Sequence, residues 1–287
     1  MTDGLVIVDK PAAMTSHDVV ARVRRLLRTR KVGHAGTLDP MATGVLVLGV
    51  GRATRLLHHL VLVDKAYIAT VRLGRSTDTD NADGRPTASA SAAGVTDNDV
   101  RTAMTKLTGA IEQVPSAVSA IKIDGERAYK KVRAGQSVAI AARPVTVTRF
   151  EALEFRREAG ILDVGVTVEC SSGTYVRALA RDLGAALGVG GHLTLLRRTR
   201  VGPFGLDMAC TLGPGLVVLP LPDAVRAALP VRDVDVDEAR ELSYGRGIDV
   251  RGIAGTYGAI TADDEVVALL REDGSFARPV LVFTPAG

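Results

Sequence analysis

The chain has 287 residues, 46% of them hydrophobic and 24% charged, enough for one large domain or two of ordinary size and too apolar for disorder. Its longest apolar runs, residues 45–50 and 216–221, fall far short of the roughly 20 residues that span a bilayer. The N-terminus has no basic and apolar leader, so a soluble, cytoplasmic protein with no membrane partner is expected. The net charge of +4 is uneven: residues 1–211 hold 29 Lys and Arg against 20 Asp and Glu, whereas residues 212–287 hold 7 against 12. A basic body suits a polyanionic partner, because each neutralised phosphate releases condensed counterions.

Residues 4–9 form a short β-branched run, after which Lys10-Pro11 leads to Thr15-Ser16, whose hydroxyls can cap a helix carrying Val19, Val20, Val23, Leu26 and Leu27. Arg22, Arg24, Arg25, Arg28, Arg30 and Lys31 decorate that helix and its exit; any one of them fits a solvated face, and only the cluster is suggestive. A glycine-punctuated stretch, residues 33–44, precedes the apolar residues 45–50. Residues 66–73 alternate as a strand, 74–94 are polar and loop-like, and Asp97-Asn98-Asp99 can cap a helix through Leu107. Residues 113–143 read as a mobile, loop-like basic insertion. Residues 145–147, 150–155 and 162–170 read as strands, and a helix starts near Thr174 with Leu179, Leu183 and Leu187 on one stripe.

This pattern predicts an α/β (α+β) fold with a mixed, mainly antiparallel sheet flanked by helices. Four prolines in residues 212–230 mark a boundary. Beyond it, residues 237–243 read as a short helix, and the segments around Ile260, 266–270 and 280–283 as strands of a small β-rich unit with a hairpin turn at Asp273-Gly274. Domains are therefore expected at 1–211 and 212–287. Cys170 and Cys210 lack CxxC spacing or a nearby histidine pair, which predicts reduced, buried thiols and no zinc site.

The most informative segment is Gly33-His34-Ala35-Gly36-Thr37-Leu38-Asp39-Pro40-Met41-Ala42-Thr43-Gly44. Its glycines permit positive φ or close backbone approach, and Pro40 stiffens the chain just after Asp39, so the loop can aim one carboxylate in a fixed direction. An isolated Asp-Pro ordinarily just starts a turn; His34 and the glycine framing argue for more. Ordinary glycosidase chemistry needs a second carboxylate and a metal site needs further ligands, neither of which is apparent around Asp39. A lone buried carboxylate can attack an electrophile or remove a proton, provided a cation keeps it ionised. The candidate cation is Arg177, where an apolar strand stops at Ser171-Ser172-Gly173 and a helix begins. Among only ten aromatic residues, Tyr67 and Tyr175 are the ones to weigh as base-stacking surfaces against ordinary core positions.

Several segments, in order, carry a resemblance: Asp9-Lys10-Pro11, residues 33–46, Asp64-Lys65-Ala66-Tyr67, Thr77-Asp78-Thr79 with Gly84, and Gln113-Val114-Pro115. Ser119-Ala120-Ile121-Lys122, Ser172-Gly173-Thr174-Tyr175-Val176-Arg177, Leu196-Arg197-Arg198 and Gly202-Pro203-Phe204 continue it. Together they resemble the pseudouridine synthases, and within them the bacterial TruB-type enzymes that modify the uridine at position 55 in the T-loop of tRNA. The resemblance implies a cofactor-independent isomerase in which Asp39 acts on a flipped-out uridine. Tyr67 would stack on the base and Arg177 would pair with Asp39. Tyr175 and Leu196 would line the pocket, Lys10 and Pro11 would brace it, and His34 would occupy the space the uridine vacates. Extruding a nucleotide costs a few kcal/mol, and stacking on one aromatic returns roughly 1–3 kcal/mol, so the assignment is energetically consistent.

The resemblance also implies an inserted arm at about 113–143 and a PUA-like C-terminal unit; the acidic tail here predicts little phosphate affinity for the latter. The charge map assigns Lys122, Arg127, Lys130, Lys131 and Arg133 to RNA affinity. The expected partner is the T-stem-loop of tRNA, with no metal and no cofactor, bound by a monomer. Two departures stand out: Ala13 occupies a position where glycine is expected, and Val118 one where an aromatic is expected. The competing readings are a non-catalytic tRNA-binding or folding module that uses the same cleft, and an Asp-dependent small-molecule hydrolase, for which a long basic arm would be pointless.

Overall fold

The computed structural model describes residues 3–117, 122–123, 126–127 and 140–286. The strands that matter for the site are β1 (Gly4–Lys10), β2 (Val32–Ala35), β3 (Thr43–Val50), β4 (Lys65–Leu73), β5 (Arg75–Thr77) and β6 (Pro86–Ser89). They are followed by β7 (Gly109–Gln113), β8 (Lys122–Ile123), β9 (Glu126–Arg127), β10 (Arg143–Glu158), β11 (Ile161–Cys170) and β12 (Gly191–Val201). Helices α1 (Ser16–Leu26), α2 (Leu57–Val61), α3 (Asp97–Lys106) and α4 (Val176–Ala186) connect them.

Among the described residues an 11-stranded sheet runs Cys210–Thr211, β1, β3, β12, β4, β11, β10, β7, with β2 beside β3, Leu219–Pro220 beside β1 and Phe204–Gly205 beside β12 off that path. Its pairings are antiparallel except β1 with Cys210–Thr211 and β12 with β3. The mixed, mainly antiparallel sheet expected from the sequence is therefore present. The β1–β3 end is buried on both faces, which explains the near-continuous apolar runs there. Val6, Val8, Leu46 and Leu48 join Val19, Val20 and Val23 of α1 in one core. Leu5, Ile7, Val45 and Val47 join Leu56, Leu57 and Leu60 in the other. β4 keeps the alternation of a one-sided strand, with Tyr67, Ala69, Val71 and Leu73 buried and Ile68 exposed.

Four local readings in this part of the chain need correction. Residues 74–94 are not wholly loop: β5 pairs with β6 in a short hairpin. Residues 145–147 and 150–155 belong to the single strand β10, where register shifts between Val147 and Arg149 and between Ala152 and Glu154 interrupt the period-2 pattern. At the helix near residue 97 the cap is Thr96, whose hydroxyl accepts from the Asp99 N–H in a capping box. Cys170 is buried but Cys210 only half-buried, its Sγ lying 3.3 Å from the Ile7 carbonyl.

A second sheet, five-stranded, has the order Val231–Val234, Thr256–Thr261, Val266–Asp273, Phe276–Val282, Ile248–Asp249. Its hairpin turn lies one residue later than expected, at Gly274-Ser275, because Asp273 still pairs with Phe276. The proline-punctuated segment before it carries the helix Leu221–Ala228, whose Leu221, Ala224 and Val225 share a core with Ile7, Ile260, Leu269 and Phe283. Among the described residues no helix is long and apolar enough to cross a membrane.

Candidate active site

The loop between β2 and β3 is fastened on three sides. Ser16, at the first turn of α1, accepts the Leu38 N–H at 2.9 Å and donates to the Leu38 carbonyl at 3.3 Å. The fully buried Lys10 points Nζ at the carbonyls of Pro11, Met14 and Pro40, at 2.8, 2.6 and 3.3 Å. The Ala13 N–H donates to the Pro40 carbonyl at 2.9 Å. On the third side Arg198, 1% exposed, donates to the carbonyls of Val45, Gly36 and Thr37 at 2.7, 3.2 and 3.4 Å. Asp39 thus sits between two residues whose backbones are held.

Arg177 meets it from the first turn of α4. Its Nε lies 2.8 Å from Asp39 Oδ2 and its Nη2 3.3 Å from Oδ1, with side-chain exposures of 6% for the arginine and 30% for the aspartate. Nη1 also donates to the Thr79 carbonyl at 3.0 Å. The arginine fork is therefore oriented by fixed acceptors on two loops, and the carboxylate keeps part of its surface toward the cleft.

That cleft, of about 610 Å³, is lined by Asp39, Tyr67, Tyr175, Arg177 and Leu196 together with His17, Lys65, Arg198 and Thr174. Tyr67 and Leu196 are each 7% exposed, and burial pushes the Tyr67 phenol up. Tyr175 is held through its backbone: Gln113, at the end of β7, accepts the Tyr175 N–H at 2.8 Å and donates to its carbonyl at 3.2 Å. Burial pushes the ammonium groups of both Lys65 and Lys10 down to about 8. Lys65 Nζ lies 3.0 Å from the Val61 carbonyl and 2.7 Å from that of Val63. With Lys65, Arg177 and Arg198 facing one carboxylate, the cleft holds an excess of positive charge, which suits an anionic ligand.

Of the residues picked from sequence, Asp39, Tyr67, Tyr175, Arg177 and Leu196 converge on this cleft. Lys10 lies behind its wall, bracing the loop. His34 also lies behind the wall: its ring packs edge-on against His17, 5.6 Å between centroids, and it is His17 that faces the cleft. Burial lowers the His34 pKa, and its buried Nδ1 has no hydrogen-bond partner. In the arm, Lys122 and Arg127 pair across the two-stranded β8–β9 hairpin. Lys130, Lys131, Arg133 and Val118 lie outside the described residues.

Sequence reasoning missed Lys65, Arg198, Gln113 and His17. The signal for Lys65 was its phase: it lies two residues before Tyr67 in an alternating strand, hence on the same inward face. Arg198 bears the same relation to Leu196. Among the described residues no group of three His, Cys, Asp or Glu side chains is placed to hold a metal ion.

Residues 24–176 match the TruB family pseudouridylate synthase N-terminal domain. Residues 177–213 match the tRNA pseudouridylate synthase B C-terminal domain, and 229–284 the tRNA pseudouridine synthase II C-terminal domain. The chain belongs to the TruB family of pseudouridylate synthases. It is 58% identical over 300 residues to tRNA pseudouridine synthase B of Arthrobacter sp. (strain FB24), covering 100% of this chain and 98% of that protein. The same-named protein of Nocardia farcinica is 60% identical over 289 residues, covering 99% and 94%. Among solved structures, a Cbf5-Nop10-Gar1 complex superimposes with a TM-score of 0.73 at 29% identity, covering 98% of this chain and 85% of that one. An H/ACA RNP bound to a substrate RNA containing 2′-deoxyuridine gives 0.71 at 28%, with the same coverage.

Proposed function

We propose that the protein isomerises uridine to pseudouridine in the T-loop of tRNA, at position 55, with Asp39 acting on a flipped-out nucleotide. The observation that carries this is the two-point Asp39–Arg177 contact in a cleft that also presents Tyr67 and Tyr175. The reaction breaks the N1–C1′ bond of uridine, turns the base and forms a C5–C1′ bond; C5 gives up its proton and N1 gains one. Atoms and electrons balance within the substrate, so the chemistry calls for a group that stabilises a transient electron deficiency at C1′ or adds to the base, and a place for one proton. A carboxylate fixed in direction by a guanidinium supplies the first. Tyr67 stacks on the extruded base, Tyr175 and Leu196 confine it, Lys10 holds the loop, and His17, backed by His34, faces the vacated position.

Residues 1–211 serve as the catalytic unit and 212–287 as a smaller PUA-like unit of weak phosphate affinity. The basic arm, with Lys122, Arg127, Lys130, Lys131 and Arg133, adds affinity for the stem. The enzyme works as a monomer in the cytoplasm. The test is tritium release from a tRNA transcript labelled at uridine C5, with the modified position mapped afterwards. Release confined to the T-loop uridine supports the reading; tight T-loop binding without release favours a tRNA-binding or folding module instead.

A further inference from the structure

Helix α1 begins at the cleft and carries an unbalanced row of cations away from it. Thr15, Ser16 and His17 line the cleft. At 100° per residue, Ala21, Arg24 and Arg25 follow His17 along one side of the helix, while Ser16, Val19, Val20 and Val23 bury the other; Arg28 and Arg30 lie beyond its end. Arg22, Arg25, Arg28 and Arg30 are all exposed. Among the described residues none of these four has a carboxylate partner. Half-buried arginines such as Arg52, Arg72 and Arg197 pair with Asp3, Asp163 and Asp9, whereas other exposed ones, Arg85 and Arg101 among them, are unpaired with a carboxylate but scattered; what sets α1 and its exit apart is four such arginines within nine residues.

Stability explains only part of this arrangement. Like charges three residues apart, as in Arg22–Arg25, weaken a helix, and the one acid of α1, Asp18, is used in the capping box with Thr15. Arg28 follows the C-cap with φ +50°, a left-handed conformation that glycine adopts at lower cost. The helix dipole favours cations in the last turn, which accounts for Arg24 and Arg25 but not for Arg22 or for Arg28 and Arg30 beyond the end.

We propose that Arg22, Arg25, Arg28 and Arg30 form a second RNA-contacting surface, a phosphate-binding ridge that takes the substrate backbone outside the loop entering the cleft. From His17, Arg25 lies about 12 Å along the axis, and Arg28 and Arg30 lie past the helix end, so the ridge reaches phosphates several nucleotides from the target rather than the reacting nucleotide itself. The ridge rests on the reading of the substrate as a structured RNA. Its work is electrostatic and blind to sequence, and it is distinct from the arm.

The experiment compares wild-type protein, Arg25→Gln/Arg28→Gln and a matched control, Arg101→Gln/Lys106→Gln on α3. Binding to a tRNA transcript and to an oligonucleotide spanning the loop alone is measured by fluorescence anisotropy between about 50 and 200 mM salt. The ridge variant is expected to flatten the slope of log Kd against log salt by about 1.4–1.8 for the transcript, to bind it roughly fivefold or more weakly at low salt, and to leave loop-only binding at the wild-type value. The control changes the slope by less than about 0.5, and urea midpoints confirm that both variants fold. A ridge-variant slope equal to wild type or to the control overturns the proposal. Tritium release by wild type is scored separately: its absence removes the catalytic reading while the slopes still decide the ridge.

Discussion

Gly44 and Arg198 pack backbone to backbone. A methyl group on Gly44, which has φ +100°, would fall 2.1 Å from the Arg198 carbonyl oxygen. The two residues are partners in the parallel β3–β12 pairing, and the Arg198 side chain turns back to hold the Gly36 and Thr37 carbonyls. One close approach therefore sets both the start of β3 and the anchor of the Asp39 loop.

Gly44→Ala is accordingly expected to destabilise the protein by about 3 kcal/mol or more, since the left-handed backbone and a backbone clash add. Urea denaturation checks this. A loss under about 1 kcal/mol would mean the approach is loose.

Ala13 is the opposite case. It has φ +62° at the position where glycine was expected, in the turn whose N–H holds the Pro40 carbonyl. Relief of that strain exceeds the extra freedom glycine gives the unfolded chain, so Ala13→Gly should stabilise by up to about 1 kcal/mol. The thermal midpoint should rise without a change in fold.

Arg177→Lys keeps the charge beside Asp39 but loses the fork that reaches both oxygens and Thr79. The single-turnover rate of label release is expected to fall at least about 100-fold while tRNA affinity stays within a few-fold. A rate within about threefold of wild type would reduce the arginine to a mere counter-charge.

Lys65 makes the pH prediction. Burial puts its folded pKa at about 8, against 10.5 as the ordinary value. Between the two the unfolded chain binds the extra proton, so this group's contribution to stability rises with pH across that window. The stability of Lys65→Met relative to wild type should therefore drop by about 2 kcal/mol between pH 7 and pH 10. Urea denaturation at both pH values measures it, and groups beyond the electrostatic reach of Lys65 cancel in the difference.

Much of this was legible in the chain. Asp39 could be singled out because glycines and a proline frame it, and Arg177 because a strand stops just before it at small residues. Lys65 and Arg198 were harder to see: a lysine in a strand reads as solvated unless its phase is compared with that of Tyr67, and the bulge between Arg198 and Arg200 blurs the phase of β12. β10 was split for the same reason. His17 was hidden because its place at the cleft depends on the docking of α1, a long-range event that local pattern does not report. The arginines of α1 and its exit were visible as a cluster, but that Arg22, Arg25, Arg28 and Arg30 are exposed with no carboxylate beside them only the folded chain reports.

The most direct test of the account is single-turnover tritium release by Asp39→Ala with saturating enzyme and a C5-labelled tRNA transcript, alongside its Kd. The expected result is no detectable release with affinity within a few-fold of wild type. Release at a measurable fraction of the wild-type rate by a folded Asp39→Ala protein would contradict it.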